Sequence, residues 1–224
     1  MADTTNLEAL IKTIETLRAP GGCPWDREQT HESICKCLIE ETAEFIETVD
    51  LKEDAHMCEE LGDLLLQILM HAQIAKERGA FTLEDVAGYI NDKMIRRHPH
   101  VFGNVQADTS EAVLVNWDKI KATEKNLSTK AKTSEIFKDL PTTLNNILKA
   151  DATWKAVVKK NLAPAPAVER EKISTLAGTL DKDDAGKKLF EIIAACREAK
   201  IDPDEALRHF TKQVIDTCEQ NFKA

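Results

Sequence analysis

From Asn6 to Leu17 apolar side chains recur at Leu7, Leu10, Ile11, Ile14 and Leu17, the spacing of three and four that marks one buried helical face. The run Arg18-Ala19-Pro20-Gly21-Gly22-Cys23-Pro24-Trp25-Asp26 then interrupts regular structure, because proline removes a donor and glycine favours turns. It reads either as a rigid corner or as part of a site. A long helix is predicted over Thr30–Val49, a polar break at Asp50-Leu51-Lys52-Glu53-Asp54, and a second long helix over Ala55–Arg78. So short a break joins antiparallel neighbours. Beyond Gly79, Thr82 caps a further helix that carries Glu84 and Asp85 in its first turn, where negative charge complements the helix dipole. That helix ends at Arg96-Arg97-His98, before Pro99, and Ser110–Lys125 forms another. The polar stretch Asn126–Ser134 is a candidate boundary between domains at 1–127 and 134–224.

The pattern partly repeats. Glu60–Lys76 aligns without gaps with Asp184–Lys200, and Phe81–Arg97 aligns with Ile201–Thr217. The match is mainly one of apolar positions, which any two amphipathic helices share in part; Gly62 and Gly186, and the helix starts at Thr82 and Asp202, raise it above that level. Leu162-Ala163-Pro164-Ala165-Pro166 is extended by its prolines. The expected fold is all-α: a bundle built on an antiparallel helix hairpin, followed by a degenerate helical repeat.

Composition supports helices, since only 5% of the 224 residues are aromatic and there are 8 Gly and 7 Pro. The 39 acidic against 30 basic residues, a net charge of −9, disfavour a nucleic acid polymer as partner. The Met-Ala-Asp-Thr-Thr start has no basic or apolar leader pattern, and no stretch reaches the ~18 apolar residues of a membrane span. A cytoplasmic location is expected, without membrane partners. Most of the six cysteines are then expected to be reduced, packed or idle, and no Cys-x-x-Cys spacing suggests zinc.

Two acidic clusters change the picture. Glu40-Glu41-Thr42-Ala43-Glu44 lies on the first helix of the hairpin and Glu59-Glu60-Leu61-Gly62-Asp63 on the second. Residues three apart lie roughly 60° apart around a helix, so Glu41 with Glu44, and Glu60 with Asp63, share a face. With the turn near Lys52, Glu44 and Glu60 are each eight residues from it, and Glu41 and Asp63 eleven. The hairpin therefore brings four carboxylates to one level, which is costly without a cation. Oxygen donors alone select a hard ion, Mg²⁺ with Mn²⁺ as a substitute, and Mg²⁺ typically completes its shell with water and phosphate. A phosphate substrate is implied. Lys93 shares a helical face with Arg96 or Arg97, and Trp117 shares one with Lys121; these are candidate phosphate clamps and a stacking surface.

Two other readings remain open. Helical bundles also build carboxylate-bridged di-iron sites, for which Glu28-x-x-His31 and Glu53-x-x-His56 offer partial motifs. A non-enzymatic adaptor or dimerisation module would leave the acidic clusters as solvated surface.

The motifs Gly22-Cys23-Pro24-Trp25-Asp26, Glu40-Glu41-x-x-Glu44 with Glu60-x-x-Asp63, Arg96-Arg97-His98-Pro99-His100-Val101-Phe102 and Trp117-x-x-x-Lys121 occur in the order in which the chain resembles the MazG family of nucleoside triphosphate pyrophosphohydrolases. The resemblance implies a homodimer of helical bundles that hydrolyses nucleoside triphosphates to monophosphate and pyrophosphate, often as house-cleaning of non-standard nucleotides. It implies that Glu41, Glu44, Glu60 and Asp63 hold Mg²⁺, with Glu41 and Glu44 thereby joining Glu40 in catalysis, and that Glu40 or a ligand carboxylate takes the proton of the attacking water. Glu59, Lys93, Arg97, Trp117 and Lys121 match positions that contact the nucleotide, and Arg96 is placed with them as a substrate-binding candidate. Under the repeat alignment Asp63 becomes Lys187, Lys93 becomes Gln213 and Arg97 becomes Thr217. The C-terminal half is thus expected to be a non-catalytic copy that buries Leu189, Ile192, Ile193, Leu207, Phe210 and Ile215.

Overall fold

A computed structural model describes residues 5–126, 134 and 136–223. Among the described residues all regular structure is helical, as the sequence predicts. The backbone divides into two compact units, Met1–Ser128 and Thr129–Ala224. Most of the expected boundary, residues 127–133, lies outside the described residues.

The first unit contains α1 (Asn6–Arg18), α2 (Pro24–Glu28), α3 (His31–Leu51), α4 (Asp54–Glu77), α5 (Leu83–Arg97), α6 (Pro99–Phe102) and α7 (Ser110–Asn126). Reciprocal capping boxes start three of these helices: Thr5 with Glu8, Thr30 with Ser33 and Thr82 with Asp85. Each box satisfies backbone donors that a helix N-terminus leaves unpaired. The periodic face of α1 places Ile14 in a core with Ile34, Leu69, Met70 and Ile74, flanked by Leu10, Ile11, Leu17, Leu65, Leu66 and Leu83.

The Pro/Gly-rich segment is a corner, and it is more regular than the sequence predicts. Pro24 occupies the first position of α2, where its fixed φ and missing N–H are tolerated; Pro99 starts α6 in the same way. A Cβ at Gly22 would lie 2.3 Å from the Leu17 carbonyl oxygen, so only glycine permits this close approach. Arg18, with its side chain 5% exposed, locks the corner. It donates to the Glu77 carboxylate at 2.7 and 2.8 Å, to the Gln29 carbonyl at 3.2 Å and to the Asp26 carbonyl. The end of α1, the corner and the end of α4 thereby share one guanidinium. Arg18 in turn holds the Glu77 carboxyl below its ordinary range.

Helices α3 and α4 form the expected antiparallel hairpin. Lys52 caps α3 in the left-handed region at φ 60°, which turns the chain directly into α4. Toward the open end, His31 and His71 stack with Nδ1 atoms 2.8 Å apart. A single proton fits between those nitrogens, because two facing N–H groups would repel.

The second unit contains α8 (Asn146–Lys159), α9 (Arg170–Ala177), α10 (Lys182–Glu198) and α11 (Pro203–Lys223). Its core joins Ile136, Val157, Leu162, Val214 and Cys218. Under the alignment α11 starts where α5 does but runs six residues further, and α10 starts four residues later than α4 and stops sooner. The expected burial does not follow. Leu189, Ile192, Ile193 and Phe210 are exposed, while Leu207 and Ile215 are half-buried. The reason is that α11 packs mainly on α8 and turns Thr211, Val214 and Cys218 inward, leaving Phe210 on another face. The eight-residue α9 is also too short to serve α10 as α3 serves α4. A Cβ at Gly62 or Gly186 would meet nothing within 4 Å, so packing does not explain that shared glycine. Among the described residues no helix is long and apolar enough to cross a membrane.

Burial, then the charge of His31, pushes the His71 imidazole below its ordinary value. A folded-state pKa below that of the unfolded chain stabilises the fold above about pH 6.5, and the contribution is lost as pH falls below that value. Urea unfolding at pH 7.5 and 5.5, followed by tryptophan fluorescence, should show a smaller acid loss of stability in His71→Gln than in the wild type. The difference is bounded by about 1.4 kcal/mol per pH unit, the limit for one proton. An unchanged pH dependence would contradict the pairing.

Candidate active site

The Lys52 turn sets the register of α3 against α4 and brings Glu41, Glu60 and Asp63 together, with one carboxylate oxygen from each within 4.8 Å of the others. Among the described residues this is the one group of three or more His, Cys, Asp or Glu side chains placed so closely. Glu60 is only 4% exposed. Its Oε1 lies 3.0 Å from His56 Nε2, whereas Oε2 is buried without a hydrogen-bond partner. Leaving a buried carboxylate oxygen unpaired costs on the order of 1–3 kcal/mol or more, and a cation shared with Glu41 and Asp63 satisfies it. Burial, followed by the charges of Asp63, Glu44, Glu60 and Glu40, pushes the Glu41 carboxyl up. An all-oxygen donor set of this charge fits a hard divalent ion.

Glu44, expected as a fourth ligand, is exposed and lies outside the trio, although its charge still raises Glu41. A fourth like charge is repelled by the crowded three, and its surface position lets it turn to water. Glu40, one residue before Glu41, pairs with Lys36 at 3.0 Å on the solvent side of α3. Glu59 is exposed beside Glu60.

The basic candidates gather on α5 and α7. Arg97 Nη2 donates to Glu124 Oε2 at 2.6 Å, and Arg96 Nε donates to Oε1 of the same carboxylate at 2.8 Å. The two guanidinium groups hold the Glu124 carboxyl down to about 2. Arg97 also lies 5.5 Å from the Trp117 ring centroid, and His98 meets that ring edge-on at 5.0 Å. Lys93 sits 4.5 Å over Tyr89, and Lys121 is half-buried one turn after Trp117. The structure therefore joins Arg96, Arg97 and Trp117 in one cluster and leaves Lys93 on its own helix with Tyr89.

The di-iron alternative loses its motif. His31 is turned to His71 at the open end of the hairpin, and His56 to Glu60 near the turn, so the two Glu-x-x-His pairs do not converge.

A family profile described as the MazG nucleotide pyrophosphohydrolase domain matches residues 29–102, the span from the cap of α3 through α6. The nucleoside triphosphate pyrophosphohydrolase/pyrophosphatase MazG of Thermotoga maritima is 40% identical over 214 residues, covering 93% of this chain and 82% of that protein. The chain belongs to the MazG family. An uncharacterised Bacillus subtilis protein, YabN, is 49% identical over 128 residues, 57% of this chain and 26% of its own length. The nucleoside triphosphate pyrophosphohydrolase of Escherichia coli K12 is 38% identical over 150 residues, 66% of this chain and 56% of its own. The chain thus spans about a quarter and just over half of these last two relatives. The Thermotoga match extends through both units, so the second unit is not peculiar to this MazG chain.

Two contacts escaped the sequence reading. His56 reaches Glu60 across one helical turn, a spacing of four that the Glu53-x-x-His56 motif does not include. Glu124 continues the Trp117–Lys121 stripe one turn further along α7, and only the structure gives its arginine partners.

Removing one carboxylate of the trio relieves repulsion and removes an ion ligand. Asp63→Asn should unfold at higher temperature than the wild type in EDTA, with stability raised by about 1 kcal/mol, the size of an ordinary single substitution. It should lose the thermal stabilisation that millimolar Mg²⁺ gives the wild type. Equal Mg²⁺ stabilisation of both proteins would rule out the trio as the ion site.

Proposed function

We propose that this MazG protein is a Mg²⁺-dependent nucleoside triphosphate pyrophosphohydrolase that releases nucleoside monophosphate and pyrophosphate, with Mn²⁺ able to replace Mg²⁺. The observation that carries the reading is the buried, unpartnered Glu60 Oε2 beside Glu41 and Asp63. The names of the Thermotoga and E. coli relatives support the same reaction class.

In this reading Glu41, Glu60 and Asp63 hold the ion, with Glu44 near enough to turn inward. Held by these carboxylates, a divalent ion would neutralise them and would supply Lewis-acid polarisation of a phosphate oxygen and of water. Glu40 accepts the proton of the attacking water once its carboxylate leaves Lys36, a surface pair worth ~0.5 kcal/mol and easily broken. Water attacks the α phosphorus and the bond to the α–β bridging oxygen breaks, so both leaving phosphates depart as pyrophosphate. Arg96, Arg97, Lys93 and Lys121 offset charge on the phosphates, Trp117 stacks against the base, and Glu59 approaches the nucleotide from the start of its motif. Non-standard nucleotides in the cytoplasm are the assigned substrates.

The protein works as a homodimer. Ile39 and Ile46 on α3, and Leu61 and Ile68 on α4, are all exposed by 46–70%. They recur at seven-residue intervals, which puts each pair on one helical face. The second unit supplies no chemistry, because Lys187 stands where the first unit has Asp63 and ion-pairs with Glu191 at 3.8 Å.

Chromatography of reactions with a nucleotide panel should show monophosphate and pyrophosphate as first products; diphosphate with orthophosphate would refute attack at the α phosphorus. Glu41→Ala in the full chain should lower turnover more than about a hundredfold, beyond the loss typical of residues that only support a ligand. It should leave no second, slower Mg²⁺-dependent activity. Folded Glu41→Ala protein with near wild-type turnover would sink the site assignment, and a residual activity abolished by changes in α10 would show the second unit to be catalytic.

A further inference from the structure

The proposed function puts Arg97 at the phosphates, yet its Nε and Nη2 already donate to a carboxylate. Its Nη2 and Nε reach Glu124 Oε2 at 2.6 and 3.2 Å, and Arg96 Nε reaches Oε1 at 2.8 Å. One carboxylate therefore bridges two guanidinium groups, with Arg97 on one oxygen and Arg96 on the other, and the same donors suit phosphate oxygens. Glu124 is no stray surface charge: its side chain is 23% exposed and that of Arg97 19%. Trp117, Lys121 and Glu124 lie at i, i+4 and i+7 on α7, so the carboxylate projects from the same face as the ring packed against Arg97.

Building on the nucleotide-hydrolysing reading above, we propose that Glu124 is an internal competitor for the phosphate site, a carboxylate that holds Arg96 and Arg97 until a polyphosphate displaces it. Binding is then an exchange of anions rather than a simple capture. A triphosphate or pyrophosphate, with several negative charges, competes well for the two arginines. A monophosphate ester carries less charge and competes poorly, so Glu124 takes the arginines back once pyrophosphate has left and hastens release of the monophosphate. The contact persists through the whole neutral range, because Glu124 stays ionised down to about pH 2.

The rival account makes Glu124 a structural tie between α5 and α7, and affinity separates the two. Calorimetry should use pyrophosphate, a nucleoside monophosphate and an α,β-methylene nucleoside triphosphate, each with Mg²⁺, on wild type and on Glu124→Gln, with folding checked by circular dichroism. Glu124→Gln should bind all three more tightly, about tenfold for the triphosphate analogue, the equivalent of one charge-assisted hydrogen bond. The monophosphate should gain no more than that, and the KM for triphosphate should fall without a rise in kcat. Glu111→Gln, which removes an exposed charge in the first turn of the same helix, should leave the affinities unchanged. Equal or weaker binding by folded Glu124→Gln, or an equal gain in Glu111→Gln, overturns the proposal. Should Glu124→Gln fail to fold, Glu124→Asp decides: its shorter side chain loses one arginine and tightens binding a few-fold if Glu124 competes, and leaves it unchanged or weaker if Glu124 only ties the helices. Wild-type turnover with no gain in either variant discards the competitor and keeps the enzyme; absence of all polyphosphate binding in every protein discards both.

Discussion

Three carboxylate oxygens within 4.8 Å of one another repel by about 3 to 4 kcal/mol per pair at an effective dielectric of 20, and the α3–α4 hairpin has to hold them there. It does so from both ends. The left-handed Lys52 cap fixes the register at the turn, and the Ile14, Ile34, Leu69, Met70 and Ile74 core clamps the other half of the hairpin to α1. Arg18 adds a buried tie from α1 to the end of α4 through Glu77. The apolar half of each long helix thus stabilises a polar half that, taken alone, would splay. His56 lies against Glu60, its imidazole raised first by the Glu53 hydrogen bond and then by the charges of Glu60, Glu53 and Glu59.

The same logic of paired charge recurs on α5 and α7, with the sign reversed. Arg96 and Arg97 are adjacent cations that one carboxylate, Glu124, draws together. The first unit therefore presents an anionic cluster suited to a divalent ion and a cationic cluster suited to phosphate. Each carries a side chain of its own that answers the local charge, His56 in one and Glu124 in the other. The second unit shares the α5 start at α11 and, among its described residues, the apolar pattern, and its exposed Leu189, Ile192 and Ile193 show that a shared apolar pattern does not guarantee a shared packing partner.

Much of the fold was legible in the sequence because its signals are local. The Thr82 cap and the three-and-four spacing of α1 fix a helix start and a helix face whatever the rest of the chain does. The level of Glu41 with Asp63 followed from counting outward from Lys52, since a tight turn leaves a hairpin almost no freedom of register. What the sequence did not disclose depends on distant partners. Whether Glu44 joins the trio is set by repulsion among side chains, and the burial of Phe210 is set by the choice of α11 to pack on α8. The His31–His71 pair spans 40 residues, and the Arg97–Glu124 pair 27. Proline at Pro24 and Pro99 misled in a different way, because a residue that ends helices also starts them.

The central claim is that Glu41, Glu60 and Asp63 form a divalent-ion site created by the register of one helical hairpin. Anomalous X-ray diffraction from crystals of the full chain soaked in Mn²⁺ tests it most directly. The account predicts an anomalous peak in direct contact with carboxylate oxygens of all three residues, at the roughly 2.0–2.6 Å of oxygen-bound hard cations. A peak elsewhere on the chain, or none at this cluster in crystals that bind Mn²⁺ at other carboxylates, would contradict it.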